Sequence, residues 1–376
     1  MHTAHWGKSC VVWVAVLLLP LTAWSQAKFT VSGFVDTSFF YENLLNTNTF
    51  SLDEVEVDLQ ADLTPWAGFR TDINFRAADS RKFTVDVGDT GTSFVSFDDL
   101  SADDVLEQGY IFLTLPTKAW GLPFEATFRF GKFNAPIGWE LLDPVDMYQF
   151  SHGLIFQFGT PTNVTGALLA LTFSPIVDLQ LYVVNGWDLL QDNNKMKTFG
   201  GRLGLTPIEN VNWGLSLISG PEQDDNDDDW RTVFDTDLTI KLIPGLIIGA
   251  EFNYGWEENA GVTGGNARWL AGLLTLHYNF TDSIGLTFRF DIFDDKDGAR
   301  LPNDNPAVTK QTAYALTLAP TFTLAQGVGF LVEFRYDKSD KDVFQKDNGN
   351  FRDDRFSVAL EFTYSFKHAF DIVVKQ

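Results

Sequence analysis

Apolar and polar side chains alternate one by one through most of this chain, from Phe29 to Phe366. In Val328-Gly-Phe-Leu-Val-Glu-Phe-Arg-Tyr336, the residues Val328, Phe330, Val332, Phe334 and Tyr336 share one face and Glu333 and Arg335 the other. A period of two is the signature of a β-strand, whose successive side chains point to opposite faces of the sheet. About sixteen such segments of roughly ten residues follow one another. They pair as eight hairpins, from Phe29–Tyr41 with Ser51–Leu63 to Val328–Asp337 with Arg355–Phe366. The strands are too many and too rich in Phe for a soluble sandwich. An all-β, transmembrane, antiparallel up-and-down β-barrel, apolar toward lipid and charged toward water, accounts for them. A propeller or solenoid is disfavoured because no fixed repeat is present.

The connections alternate in length. Thr64–Gly68, Ser174–Asp178, Pro207–Asn210, Pro244-Gly245 and Thr281–Ser283 are short, whereas Ala78–Asp104, Asn134–Thr165, Gly220–Trp230, Asp294–Lys310 and Lys338–Asp354 are long and polar. Short turns on one rim and long loops on the other are expected of an outer-membrane barrel, with the turns periplasmic. Trp66, Trp120 and Trp213 adjoin short turns, and Trp187, Trp230, Trp256 and Trp269 adjoin long loops. Two interfacial aromatic belts are the expectation.

The ends carry addresses. Met1–Lys8 holds one Lys and no acid, Val11–Leu19 is an apolar run too short to span a bilayer, and small residues follow. Residues 1–27 therefore read as a cleaved export signal, 28–366 as the barrel and 367–376 as a short tail or an extension of the last strand. Ser357–Tyr364 with Phe366 resembles the C-terminal signal by which bacterial barrels are recognised for insertion. Cys10, the one cysteine, falls in the leader, so disulfides, thiol catalysis and thiolate metal sites are not expected. Losing the leader removes Lys8 from 27 basic residues and none of the 50 acids, leaving a formal charge of −24. Such a surface excludes nucleic acid as a partner, because phosphates need Lys and Arg.

Strand facing identifies the inner wall, since an ionised side chain on the lipid face near mid-membrane costs about 2–4 kcal/mol for Arg or Lys. Glu54, Glu56, Asp58 and Asp62 line the second strand, Arg70, Asp72, Asn74 and Arg76 the third, and Glu125, Thr127 and Arg129 the fifth. Asp235, Asp237 and Lys241, then Arg289 and Asp291, then Glu333 and Arg335 continue the lining, with His277 on the wall. Some of these could form the charged rings that set ion selectivity. No cofactor or metal centre is expected: the acidic runs Asp224–Asp229 and Asp294–Asp297 lack ligand-loop spacing, and no haem or phosphate-cradling motif is present. The neighbours Ser151 and His152 make a poor nucleophile and base, so enzymatic activity is not expected.

The most specific local sequence is Gly131-Lys-Phe-Asn-Ala-Pro-Ile-Gly-Trp-Glu140, continuing through Leu141–Asp146 and Ser151-His-Gly153 to Pro161-Thr-Asn-Val-Thr-Gly166. With the opening Val31-Ser-Gly-Phe-Val-Asp36 it resembles the OmpL-like putative β-barrel porins, and more loosely the phosphate-selective porins. The resemblance implies a passive outer-membrane channel, often a homotrimer, with this loop folded inward as a constriction. It would meet outer-membrane lipid and lipopolysaccharide outside and small hydrophilic solutes inside. Lys132, Glu140, Asp143, Asp146 and His152 of this region join Arg70, Arg76, Arg129, Arg289, Glu333 and Arg335 as expected pore-lining residues. Pro136 and Gly138 let the chain turn sharply, and Glu140, Asp143 and Asp146 are expected to face Arg70, Arg76 and Arg129 across the passage. The acid excess favours a mild cation preference. An anion- or phosphate-selective channel and a non-conducting adhesin acting through acidic outer loops are the alternatives.

Overall fold

The computed structural model describes residues 26–45, 47–76 and 105–373. Residues 1–25, which hold most of the expected leader, residue 46, residues 77–104 with the loop Ala78–Asp104, and residues 374–376 lie outside the described residues. The strands are β1 (Gln26–Glu42), β2 (Thr47–Thr64), β3 (Ala67–Arg76), β4 (Leu106–Leu115), β5 (Glu125–Asn134), β6 (Asn163–Ser174), β7 (Val177–Val184) and β8 (Thr198–Ile208). They continue as β9 (Val211–Pro221), β10 (Trp230–Ile240), β11 (Leu246–Glu257), β12 (Ala267–Thr281), β13 (Ile284–Asp295), β14 (Gln311–Ala325) and β15 (Val328–Ser339). A small hairpin, β16 (Phe344–Gln345) with β17 (Phe351–Arg352), decorates the last long loop before β18 (Asp354–Val373). Among the described residues, sixteen strands close into one antiparallel barrel, each paired with its sequence neighbours and β1 sealed against β18.

The seam runs from Gln26 opposite Val373 to Glu42 opposite Ser357. Residues from Lys367 to Val373 continue the last strand and pair with the start of β1. The seam is long because a strand edge left open in lipid would strand its amides without partners. Alternation sorts the residues as expected: on β15, Phe334 and Tyr336 are exposed, whereas Glu333 and Arg335 are buried.

Two features depart from a simple polar lining. The inner face from β6 to β14 is apolar in its loop-side half, where Val164, Leu168, Tyr182, Ile218, Val233, Trp269, Leu273 and Phe293 form a second core inside the barrel. Trp187 and Trp269 belong to it, at 8% and 0% exposed, and so are not part of an interfacial belt. Trp269 fits because Gly255 lies directly opposite, where a Cβ would come within 2.1 Å of the indole. Arg300 covers the Trp187 and Trp269 rings at 5.1 and 5.4 Å, a cation held over electron-rich faces. Trp66, Trp120 and Trp213 at the short turns are exposed, as a belt requires.

Phe130, mid-strand on β5 and 63% exposed, tests the outer face. Phe130→Arg is expected to cost about 2–4 kcal/mol of folding free energy in lipid vesicles. The same change at inward-facing Thr127 should cost much less in a urea refolding titration.

Candidate functional site

The segment between β5 and β6 turns into the barrel. Its neck is tied where Asn163 Nδ2 donates to Asn134 Oδ1 at 2.8 Å, and Asp188 Oδ1 accepts from the Thr162 and Asn163 amides, both at 2.8 Å. Gly138, at φ +89, supplies the left-handed turn that aims the chain inward. The Trp139 amide donates to Glu251 Oε2 at 3.1 Å and its indole Nε1 to Thr239 Oγ1 at 2.9 Å, fixing the ring on β10 and β11.

Arg289 of β13 is the central anchor. Fully buried, it donates to Glu140 Oε1 at 2.7 Å and to Asp291 Oδ2 at 2.9 Å, and it also reaches the Ser151 carbonyl and hydroxyl. Glu140 Oε2 accepts from the Gly153 amide at 2.6 Å, and Gln149 Nε2 donates to Oε1 at 2.9 Å. Arg335 of β15 donates to Ser151 Oγ at 2.7 Å and to the His152 carbonyl at 2.8 Å, while Glu333 accepts from the Ser151 amide at 3.0 Å. A desolvated charge is tolerable only when paired and hydrogen-bonded, so these contacts define one seat for the loop. Gly153 caps the short helix α1 (Leu154–Phe158), whose Leu154 and Ile155 enter the inner apolar core. Phe150 lies on a niche of Phe40, Leu331 and Ala359, with Phe40 and Ala359 paired across the seam.

The opposite wall is acidic. Asn74 Nδ2 donates to Glu54, to Glu56 at 2.8 Å and to Glu107 at 2.9 Å. Oxygens of these three carboxylates lie within 4.8 Å of one another, a geometry able to hold a cation. Beside them Arg70 donates to Asp72 at 2.9 Å and lies 3.9 Å from Asp58. The loop presents Asp143 to this wall; burial first, then Glu107, Asp146, Asp58 and Glu54, push its carboxyl up to about 8. Asp146, on the open side of the loop, is also raised, by burial and Asp58 against the opposing pull of Arg70.

The expected facing of loop acids and wall arginines is therefore corrected. Glu140 pairs with Arg289, Asp143 faces carboxylates, and only Asp146 feels Arg70. Arg289, Glu333 and Arg335 do not face open water but are covered by the loop they hold. Arg129 lies with its guanidinium 5.4 Å from the Tyr110 ring centroid, on the inner face. Lys132 takes the outward parity of Phe128 and Phe130, because strand register sends Arg129 and Phe133 inward. His152 is internal to the loop, its Nε2 donating to the Leu141 carbonyl at 2.9 Å and its ring stacked on Phe156. Arg76 pairs through its backbone with Glu54, and its side chain lies outside the described residues. Sequence reasoning missed Glu251, Gln149 and Arg202, the last a buried partner of the expected lining residue Asp237. Arg202 shares its inward face with Gly200 and Gly204, so no apolar alternation marked its direction.

Comparison with known proteins agrees with this architecture. The family model described as putative beta-barrel porin-2, OmpL-like, matches residues 28–366. OmpT of Vibrio cholerae is similar in fold, with a TM-score of 0.61 at 11% identity over 92% of this chain and 100% of that one. It is also known in a trimer form. The outer membrane channel DcaP of Acinetobacter baumannii gives 0.60 at 12% identity over 91% and 98%. An anion-selective porin from Comamonas acidovorans gives 0.59 at 10% over 91% and 100%. No curated protein matches in sequence.

Replacing Arg289 with Met is expected to leave Glu140 and Asp291 buried without their cation, a loss of about 3–5 kcal/mol that undocks the loop. Limited chymotrypsin digestion of the folded barrel should then cut within residues 135–162, where the wild type resists. The pH response has a defined sign. The docked loop keeps the Asp143 proton up to about pH 8 and the released loop only to 3.8, so between these values rising pH favours release. Cleavage, normalised to the activity of chymotrypsin at each pH, should increase from about pH 5 to about pH 8 and then level off, and Asp143→Asn should flatten that rise.

Proposed function

The chain belongs to the putative beta-barrel porin-2, OmpL-like family, and from that premise we propose that it is a cation-preferring diffusion channel for small hydrophilic solutes. It is a non-enzymatic porin-type barrel of the bacterial outer membrane. The passage, in this reading, runs between the docked loop and the wall of β2–β4. One observation carries the preference: the loop sets Asp143 and Asp146 toward Glu54, Asp58 and Glu107. At neutral pH Asp143 is protonated, so a cation passing there meets Asp146 on the loop side and Asp58 on the wall side, whereas an anion meets chiefly Arg70 and Arg129. The apolar outer face meets lipid and lipopolysaccharide, and the trimer form of OmpT supports reading the chain as one subunit of a homotrimer.

The two wall arginines and the fold shared with an anion-selective porin favour the second reading, an anion- or phosphate-selective channel. Reversal potential in a planar bilayer under a roughly tenfold potassium chloride gradient separates the two. The expected sign is cation-preferring, reduced toward zero by Asp58→Asn with Asp146→Asn and increased by Arg70→Gln. An anion-preferring potential that Arg70→Gln abolishes would establish the second reading.

A further inference from the structure

Where the loop enters the barrel, two buried carboxyl groups meet. Asp235 of β10 and Glu251 of β11 both point inward, at 0% and 5% exposed. The hydrogen bonds around them can be followed donor by donor. An indole N–H only donates, so Trp269 Nε1 fixes Asn253 Oδ1 as its acceptor, at 2.9 Å. Asn253 Nδ2 is thereby turned to Asp235 Oδ2, to which it donates at 3.1 Å. From the other side, the Trp139 amide of the loop donates to Glu251 Oε2. Each carboxyl keeps one buried oxygen that no donor among the described residues reaches, Asp235 Oδ1 and Glu251 Oε1. The two side chains lie within hydrogen-bonding reach of each other.

A carboxylate only accepts, so a contact between two of them closes only when one carries a proton. The surrounding charges do not replace it. Arg202 of β8 is bidentate on Asp237 of β10, and Arg289 of β13 is committed to Glu140 of the loop and to Asp291. The Tyr182 hydroxyl of β7 lies near Asp235 but has no hydrogen-bond partner among the described residues. Neither Asp235 nor Glu251 forms an ion pair among the described residues, and Glu140 and Asp237 add negative charge beside them. Two ionised carboxylates here would be desolvated and unpaired. One proton satisfies both orphaned oxygens and leaves a single negative charge. The loop lies directly against this pair, because a Cβ on Gly138 would stand 3.1 Å from Glu251 Oε1. With Oε1 engaged by the proton, Oε2 is held toward the Trp139 amide.

We propose that Asp235 and Glu251 hold one proton between them, and that this pair positions the loop by presenting Glu251 to the Trp139 amide. It concerns how the loop is attached and stands whether or not the barrel conducts. Amide substitutions test it, since each supplies the shared hydrogen bond permanently. Glu251→Gln turns an N–H to Asp235 and keeps an oxygen for Trp139. Asp235→Asn turns an N–H to Glu251 and keeps an oxygen for Asn253. Either single change preserves the single negative charge of the protonated pair, whereas the two together set donor against donor. In limited chymotrypsin digestion of folded, heat-modifiable barrels at neutral pH, residues 135–162 should resist in both single variants as in the wild type. The double variant should be cut about tenfold faster. Infrared difference spectra at the same pH give a second readout. Wild type minus Glu251→Gln, and wild type minus Asp235→Asn, should each show the carbonyl band of a protonated carboxyl. The absence of that band from both differences would overturn the shared proton. A double variant as resistant as the single ones, or a single variant cut as fast as the double, would overturn the positioning role. Should the double variant fail to fold, the infrared bands and the resistance of the single variants decide.

Discussion

Every amide that enters the hydrocarbon layer must find its partner within the protein, and the rest of this structure follows from that requirement. It forces the long register between β1 and β18, since an unsealed edge would leave backbone groups unpaired for the depth of the bilayer. Closure then assigns every residue to one of two worlds. Phe, Leu and Val at alternate positions meet lipid, and their neighbours meet whatever fills the interior.

Half of that interior is filled with protein. On the side from β6 to β15, loop residues such as Ile137, Leu154 and Ile155 join inward apolar residues, and Arg289 and Arg335 lock the loop above their own carboxylate partners. The other half keeps Glu54, Glu56, Asp58 and Glu107 facing Asp143. A single segment thereby divides one wide cylinder into a packed side and an acidic side. Its own acids are split between the two: Glu140 serves attachment and Asp143 faces the opposite wall.

The strands were legible because a period of two repeats often enough to average out local exceptions, and the register confirms the sixteen expected strands to within a few residues at each end, except that the last runs seven residues past Phe366. The same alternation placed Glu54, Arg70, Arg289 and Glu333 on the inner face. What alternation could not supply is which inner residues meet. Glu140 and Arg289 lie 149 positions apart, and their pairing depends on where a loop lands rather than on any strand. Lys132 was misplaced because a motif, rather than parity, suggested its role. Trp269 was misplaced because its fit depends on the missing side chain of Gly255 on the adjacent strand.

The niche of Phe150 has one more implication. Phe40 comes from the first strand and Ala359 from the last, and they become neighbours only when the two ends of the chain meet. The loop can therefore take its final seat only on a finished cylinder. A half-inserted intermediate would carry an aromatic with nowhere to go, marked for chaperones and proteases by that exposed ring. At the seat of Phe150 the loop thus touches both ends of the chain, and its packing there is complete only once the first and last strands have joined.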